Sequence, residues 1–216
     1  MIKKLFGVML LGIVLSGTTV HAGMREWINE AVGILSTKQN SNTPIPREIL
    51  AKARAVAIIE ITRGGIGIGG SHGDGILLAR TQKGWSAPLA FGQGGGSVGA
   101  QLGFESKKYI YVLMSDAALE QFTGDEKFKF DAKATATAGP DHVTEEAIPQ
   151  GELFVYTTKS DGAFAGATIG GQVVSVNYEV NRKAYGQGVT TAEILSGKVT
   201  APKGTDKLHQ LLKSSK

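Results

Sequence analysis

Hydrophobic residues change their spacing twice along this chain. The first stretch, Leu5–Leu15, is an apolar run behind Lys3 and Lys4, followed by Val20-His21-Ala22. A basic start, a short apolar run and small or apolar residues before a cleavage point are the layout of a secretory signal peptide. The run is about half the roughly 20 residues that a bilayer-spanning helix needs. The expectation is a signal peptide over residues 1–22, cleaved after Ala22, and a periplasmic or secreted mature chain.

From Gly23 the spacing is helical. Met24, Trp27, Ile28, Ala31 and Leu35 recur at i, i+3, i+4, i+7 and i+11, with Arg25, Glu26, Asn29 and Glu30 elsewhere. This predicts an amphipathic helix over Gly23–Thr37. Lys38–Thr43 is a polar break, so residues 23–45 read as an N-terminal helix and linker. Pro46–Ala53 predicts a second short helix, with its proline where a first turn tolerates it.

At Arg54 the spacing shortens to that of strands. Ala55–Ile61 is a continuous apolar, β-branched run, the mark of a buried strand. Ile66–Gly70 and Gly75–Arg80 flank Ser71-His72-Gly73-Asp74, which predicts a hairpin there. Trp85–Phe91 and Ser97–Glu105, about a turn at Gln93–Gly96, predict two more strands, and Lys108–Met114 another. Ser115–Phe122 reads as a helix stopped by Gly124. Lys127–Thr137 alternates apolar with polar positions, which predicts a strand with one wet face. Gly139–Gly151 is a polar loop, and Glu152–Lys159, Ala163–Ile169 and Gln172–Tyr178 predict three closely spaced strands. Val180–Tyr185 reads as a helical turn closed by Gly186. Thr190 and Glu193 stand at capping-box spacing at the head of a short helix, Thr190–Leu195. Lys198–Lys216 is polar and lysine-rich apart from Leu208, Leu211 and Leu212, which predicts a poorly ordered tail. Short strands joined by tight turns give the fold class: α+β, an antiparallel, strongly curved β-sheet or partly closed barrel, with an N-terminal helix and a few short flanking helices. One domain is expected over residues 46–197.

Composition removes several function classes. None of the 216 residues is cysteine, which excludes disulfides, thiolate metal sites and cysteine nucleophiles together. Loss of Lys3 and Lys4 with the signal peptide takes the basic residues from 23 to 21 against 19 acidic, a net charge of +2. That is too small an excess to point to a nucleic-acid partner. Glycine is abundant, at 30 residues, and produces two matches to the dinucleotide fingerprint, Gly65-Gly67-Gly70 and Gly94-Gly96-Gly99. The chemistry needs the third glycine to open a helix. Here both motifs run into strand-like sequence, so sheet and turn geometry is the better reading. Ser71-His72-Gly73-Asp74 sets a hydroxyl, an imidazole and a carboxylate side by side, but a triad draws its members from different elements. No complementary His/Asp/Glu pair makes a metal site of His72 and Asp74, and Asp141-His142 lies in a polar loop. The chain therefore reads as a non-enzyme, without metal or cofactor.

Cations beside aromatic rings are the remaining signal. Lys107-Lys108-Tyr109, Lys127-Phe128-Lys129-Phe130 and Arg182-Lys183-Ala184-Tyr185 each set a positive charge next to an amphipathic ring. Such pairs suit a lipid headgroup interface, and they equally suit the solvated face of a strand or turn. The Trp27 helix has the same two readings, insertion at a membrane surface or packing on the domain, and packing is the commoner.

Six segments, in order, resemble the SYLF domain family. They are Arg63–Gly70 with Gly75–Arg80, Gly84-Trp85-Ser86-Ala87-Pro88, Gly99–Gly103, Val112–Ser115, Phe164-Ala165-Gly166 and Asn181-Arg182-Lys183-Ala184-Tyr185-Gly186. The resemblance covers Pro46–Gly197 and implies a lipid-binding module. Eukaryotic members bind phosphoinositides and, in some cases, actin filaments, whereas bacterial members are exported. The expected function is thus an exported module for anionic phospholipid. Trp27 and its helix would give apolar contact, and Lys107, Lys108, Arg182 and Lys183 would give charge. Actin enters by family analogy alone and is an implausible native ligand for an exported chain. A protein-interaction or envelope scaffold role is the alternative.

Overall fold

The computed structural model describes residues 23–124, 128–130, 136–138, 153–158 and 172–213. The signal peptide, the Gly139–Gly151 loop, the strand expected at Ala163–Ile169 and most of the one at Lys127–Thr137 lie outside these residues. Six helices, α1 (Met24–Gln39), α2 (Arg47–Lys52), α3 (Asp116–Thr123), α4 (Tyr178–Tyr185), α5 (Thr191–Leu195) and α6 (Thr205–Lys213), accompany seven strands. The strands are β1 (Ala55–Thr81), β2 (Gly84–Trp85), β3 (Leu89–Leu113), β4 (Phe128–Phe130), β5 (Ala136–Ala138), β6 (Leu153–Thr157) and β7 (Gln172–Val176). They form one open sheet in the order β2-β1-β3-β6-β5, with β7 joining β3 to β4. Every pairing is antiparallel except β5 with β6. The fold class is α+β, as the sequence predicts, and among the described residues the sheet does not close.

The centre of the fold is one very long hairpin. β1 pairs with β3 from Ala55↔Leu113 to Leu77↔Leu89, with a single register shift between Ile66 and Ile68. A straight strand of 27 residues would reach about 90 Å, about twice the width of a domain this size. The ribbon instead folds over itself. Arg80 N–H donates to the Arg54 carbonyl at 2.8 Å, and the glycines at 73 and 75 lie against Glu60, Ile61, Ile58 and Ile59. A Cβ at Gly75 would stand 2.2 Å from the Ile58 oxygen, and one at Gly73 2.4 Å from the Glu60 oxygen. Only glycine permits that approach.

This corrects the hairpin expected at Ser71–Asp74 and the turn expected at Gln93–Gly96. Both segments are strand interior and pair with each other, Ser71 opposite Gly95 and Gly73 opposite Gln93. The dinucleotide fingerprints lie in the same two strands, and neither opens a helix.

Alternate residues of the ribbon supply two cores, as strand geometry requires. Val56, Ile58, Ile76, Leu78, Ile110 and Val112 pack with Trp27, Ile28, Leu35 and Ile49 of α1 and α2. Ala57, Ile59, Leu77, Phe91, Tyr109 and Tyr111 pack with Leu119 and Phe122 of α3. Burial on both faces explains the apolar run at Ala55–Ile61, which only Glu60 interrupts. Local signals at the helix ends match the structure. Ser115 Oγ accepts from Ala118 N–H at 3.0 Å, Thr190 and Glu193 form a capping box, and Gly186 ends α4 at φ +95°.

The poorly ordered tail is also corrected. Residues 205–213 form α6, which packs beside α1 with Leu208 and Leu212 buried. Its leucines at i, i+3 and i+4 make an apolar stripe, which outweighs the lysine-rich composition around it.

Candidate functional site

The residues expected to bind lipid do not meet on one surface. Trp27 is only 7% exposed and sits in the core between α1 and the sheet. Of its two sequence readings the structure shows packing, which corrects the expectation of apolar contact with lipid. Lys107 and Lys108 are neighbours near the end of β3, so their side chains leave opposite faces of the ribbon. Lys107 Nζ pairs with Glu105 at 2.9 Å, and Lys108 Nζ lies 3.5 Å from Glu60. Arg182 and Lys183 are carried by α4, which is fastened to the start of β3. There Asn181 accepts from Ala90 N–H at 2.8 Å and donates to the Ala90 carbonyl at 2.9 Å. Lys183 pairs with Glu179 one turn back at 2.6 Å. Arg182 is exposed and in no ion pair among the described residues. One turn before it on the same helix face stands Tyr178, a large apolar side chain that is 50% exposed.

Lys108 belongs to a cluster that its sequence context does not reveal. Glu60 interrupts the apolar face of β1 and receives Ser106 Oγ–H, the Lys108 ammonium and the Glu30 carboxyl of α1. Burial, and then the hydrogen bond and charge of Glu60, push Glu30 from its usual 4.5 to about 7. The hydrogen bond from Glu30, helped by Ser106 and Lys108, holds Glu60 below the usual range. Below about pH 7 Glu30 therefore holds a proton and donates it to the Glu60 carboxylate, tying α1 to the sheet. The signal available in the sequence was an acid inside the run Ala55–Ile61.

Next to this cluster an open groove of about 390 Å³ is lined by His72, Asp74, Gly92, Gly94, Ser175 and Tyr178. His72 Nε2 lies 3.2 Å from Asp74 Oδ2. Ser71 points to the other face of the strand and bonds the Gly95 carbonyl at 3.3 Å, so the run Ser71-His72-Gly73-Asp74 builds no triad. A second groove, of about 630 Å³, lies between α3, α4 and α5 and is lined by Thr123, Tyr178, Val189, Thr190 and Leu195. Among the described residues, no group of three or more His, Cys, Asp or Glu is placed to hold a metal ion. No described helix is long and apolar enough to cross a membrane. Among the described residues the arrangement offers hydrogen bonds and charge.

Comparison with known proteins places this architecture. A family model described as "Ysc84: Las17-binding protein actin regulator" matches residues 94–215, more than half of the chain. The chain belongs to the Ysc84 family. This is the SYLF family that the six segments resemble. The match runs past the end of α6, so the terminal helix lies within the family's domain. Protein YSC84 of Saccharomyces cerevisiae is 33% identical over 177 residues, 79% of this chain and 38% of that protein. LAS seventeen-binding protein 3 of the same yeast is 32% identical over the same shares. SH3 domain-containing YSC84-like protein 1 of Bos taurus is 31% identical over 184 residues, 83% of this chain and 54% of that protein. The chain thus spans between 38% and 54% of these relatives' lengths. The name of the second relative records binding to LAS seventeen, and that of the third an SH3 domain. No solved structure matches the chain.

Several Ysc84 segments are explained by packing alone. Besides the Asn181 clasp, Tyr185 O–H donates to the Pro88 carbonyl at 2.5 Å. Ser86 Oγ accepts from Ala79 N–H at 3.0 Å and donates to the Ala87 carbonyl at 2.8 Å. The guanidinium of Arg80 lies 4.0 Å from the centre of the Trp85 ring. These contacts fix the folded ribbon and its helices, and they leave ligand recognition to the surface.

Proposed function

We propose that this Ysc84-family chain is an exported, non-enzymatic module that binds anionic phospholipid at a membrane surface. The observation that carries the reading is the exposed pair Tyr178 and Arg182 on α4, a ring and an unengaged cation one turn apart. An amphipathic ring beside a cation suits the headgroup layer, where the ring lies at the boundary and the cation meets phosphate. Export rests on the signal-peptide layout of residues 1–22. Co-sedimentation of the mature chain with phosphatidylcholine vesicles, with and without phosphatidylglycerol, tests the reading. Binding is expected only to the anionic vesicles and should weaken as salt rises, since each cation near such a surface contributes about 1 kcal/mol. Equal binding to both vesicles, or to neither, sinks it.

A second reading follows from the family's description as a Las17-binding actin regulator and from one relative's name, LAS seventeen-binding protein 3. On that reading a protein occupies the exposed surface. Crosslinking would then recover a discrete partner, and the purified chain would bind no vesicle.

A further inference from the structure

Three lysines that the sequence keeps far apart meet at one end of the sheet. The connection from β1 to β2 is a two-residue turn, Gln82 and Lys83, closed by the pair Thr81↔Gly84. Thr81 Oγ1 braces it, accepting from Lys83 N–H at 3.3 Å and donating to the Gly84 carbonyl at 3.2 Å. Behind the turn, Arg80 stacks on Trp85 and donates to the Leu50 and Ala53 carbonyls at the end of α2. The turn is therefore anchored on both strands. Lys213, at the end of α6, lies along one side of it, for a Cβ on Gly84 would be 3.8 Å from Lys213 Cε. Gly197 packs on Thr81, where a Cβ would be 3.5 Å from Thr81 Cγ2, and this sets Lys198 near the turn.

Lys83, Lys198 and Lys213 are all exposed. None of them is in an ion pair among the described residues, whereas Lys107, Lys108 and Lys183 each are. Glu193 feels the charge of Lys198, but its carboxylate is already held by Thr190 N–H at 2.9 Å and the Thr190 hydroxyl at 2.8 Å. Asp116, on the neighbouring helix α3, is engaged by Arg54.

We infer that this lysine tip, Lys83 with Lys198 and Lys213, supplies the main charge that docks on anionic phospholipid, with Arg182 of α4 adding to it. The inference rests on the membrane reading above and moves the docking charge away from Lys107, Lys108 and Lys183. The tip is a two-residue turn with three exposed lysines, and neither of the two grooves described above is lined by any of them. A small ligand is held in a cleft, whereas three exposed cations outside both of these grooves suit an extended anionic surface.

The test uses the mature chain and vesicles of phosphatidylcholine with phosphatidylglycerol. The triple variant K83Q/K198Q/K213Q should lose on the order of a hundredfold in partitioning, from three cations at about 1 kcal/mol each. K107Q/K108Q should bind as the unaltered chain does, and K83R/K198R/K213R, which keeps the charge, should also bind. Full binding by the glutamine triple, or equal losses in both glutamine variants, overturns the tip while leaving the membrane reading in place. Loss of binding in the arginine triple overturns it too, because charge would not be the cause. Failure of the unaltered chain to bind these vesicles removes the membrane reading itself. An acidic polypeptide that is retained by the unaltered chain and released by the glutamine triple, with vesicle binding unchanged, assigns the tip to a protein instead.

Discussion

Glu30 and Glu60 show how one side-chain pair can make a helix contact depend on pH. In the folded chain Glu30 titrates near 7 against an ordinary 4.5, so it holds a proton that the unfolded chain has released. Stability from this group is full below about pH 4.5 and is lost as pH rises through about 7, where two carboxylates come to face each other. Lys108 offsets part of that repulsion and Asp74 adds to it. Glu60 is shifted the opposite way, so its own contribution is lost only in more acidic solution. Between pH 5 and 8 the free energy of unfolding should therefore fall by on the order of 1 kcal/mol, solvent screening at this half-exposed site keeping it small. Glu30→Gln, which can still donate to Glu60, should flatten that slope and be the more stable protein at pH 8. Denaturant titrations at several pH values measure this, and an unchanged slope in the variant would show that α1 is not held by the shared proton.

At the scale of elements, features set by neighbours in sequence were legible, and features set by distant pairing were not. The starts of α3 and α5 follow from Ser115 and Thr190, whose caps need only residues three positions on. The sequence predicts three strands in place of the 27-residue β1 because glycines at 64–70 and 73–75 look like turns in a local window. Their role is set by β3 and by β1's own first half, which no local pattern displays. The α6 helix is a different kind of case, since the stripe of Leu208, Leu211 and Leu212 stood in the sequence and lysine composition hid it. Of the expected site, the sequence found exposed Arg182 but could not see that its other lysines were paired. The tip lysines come from three separate segments, and only the fold unites them. If α6 closes the core beside α1, Leu208→Ala should cost about 2–4 kcal/mol in denaturant unfolding, the usual range for a fully buried leucine. A change under about 0.5 kcal/mol, typical of surface positions, would return residues 198–216 to the role of a loose tail.

For the whole molecule, the proposed membrane contact would be made without rearrangement. A folded ribbon with cores on both faces leaves α1 integral to the domain, with Trp27, Ile28 and Leu35 all buried. Freeing this helix for insertion would expose the face it covers and forfeit several buried side chains at roughly 1.5–3 kcal/mol each, more than three surface cations return. The two tryptophans, Trp27 and Trp85, are both buried, so intrinsic fluorescence reports whether the domain opens. On adding anionic vesicles, the tryptophan emission maximum should stay in place and lipids brominated along their acyl chains should leave the intensity unchanged, even where co-sedimentation shows full binding. Trp27→Ala should lower stability by about 3–5 kcal/mol, as truncation of a buried aromatic does. At temperatures where this variant remains folded, its vesicle affinity should equal that of the unaltered chain. Quenching that depends on bromine depth, or an affinity lost with Trp27 while the fold persists, would mean that α1 leaves the sheet to enter the bilayer.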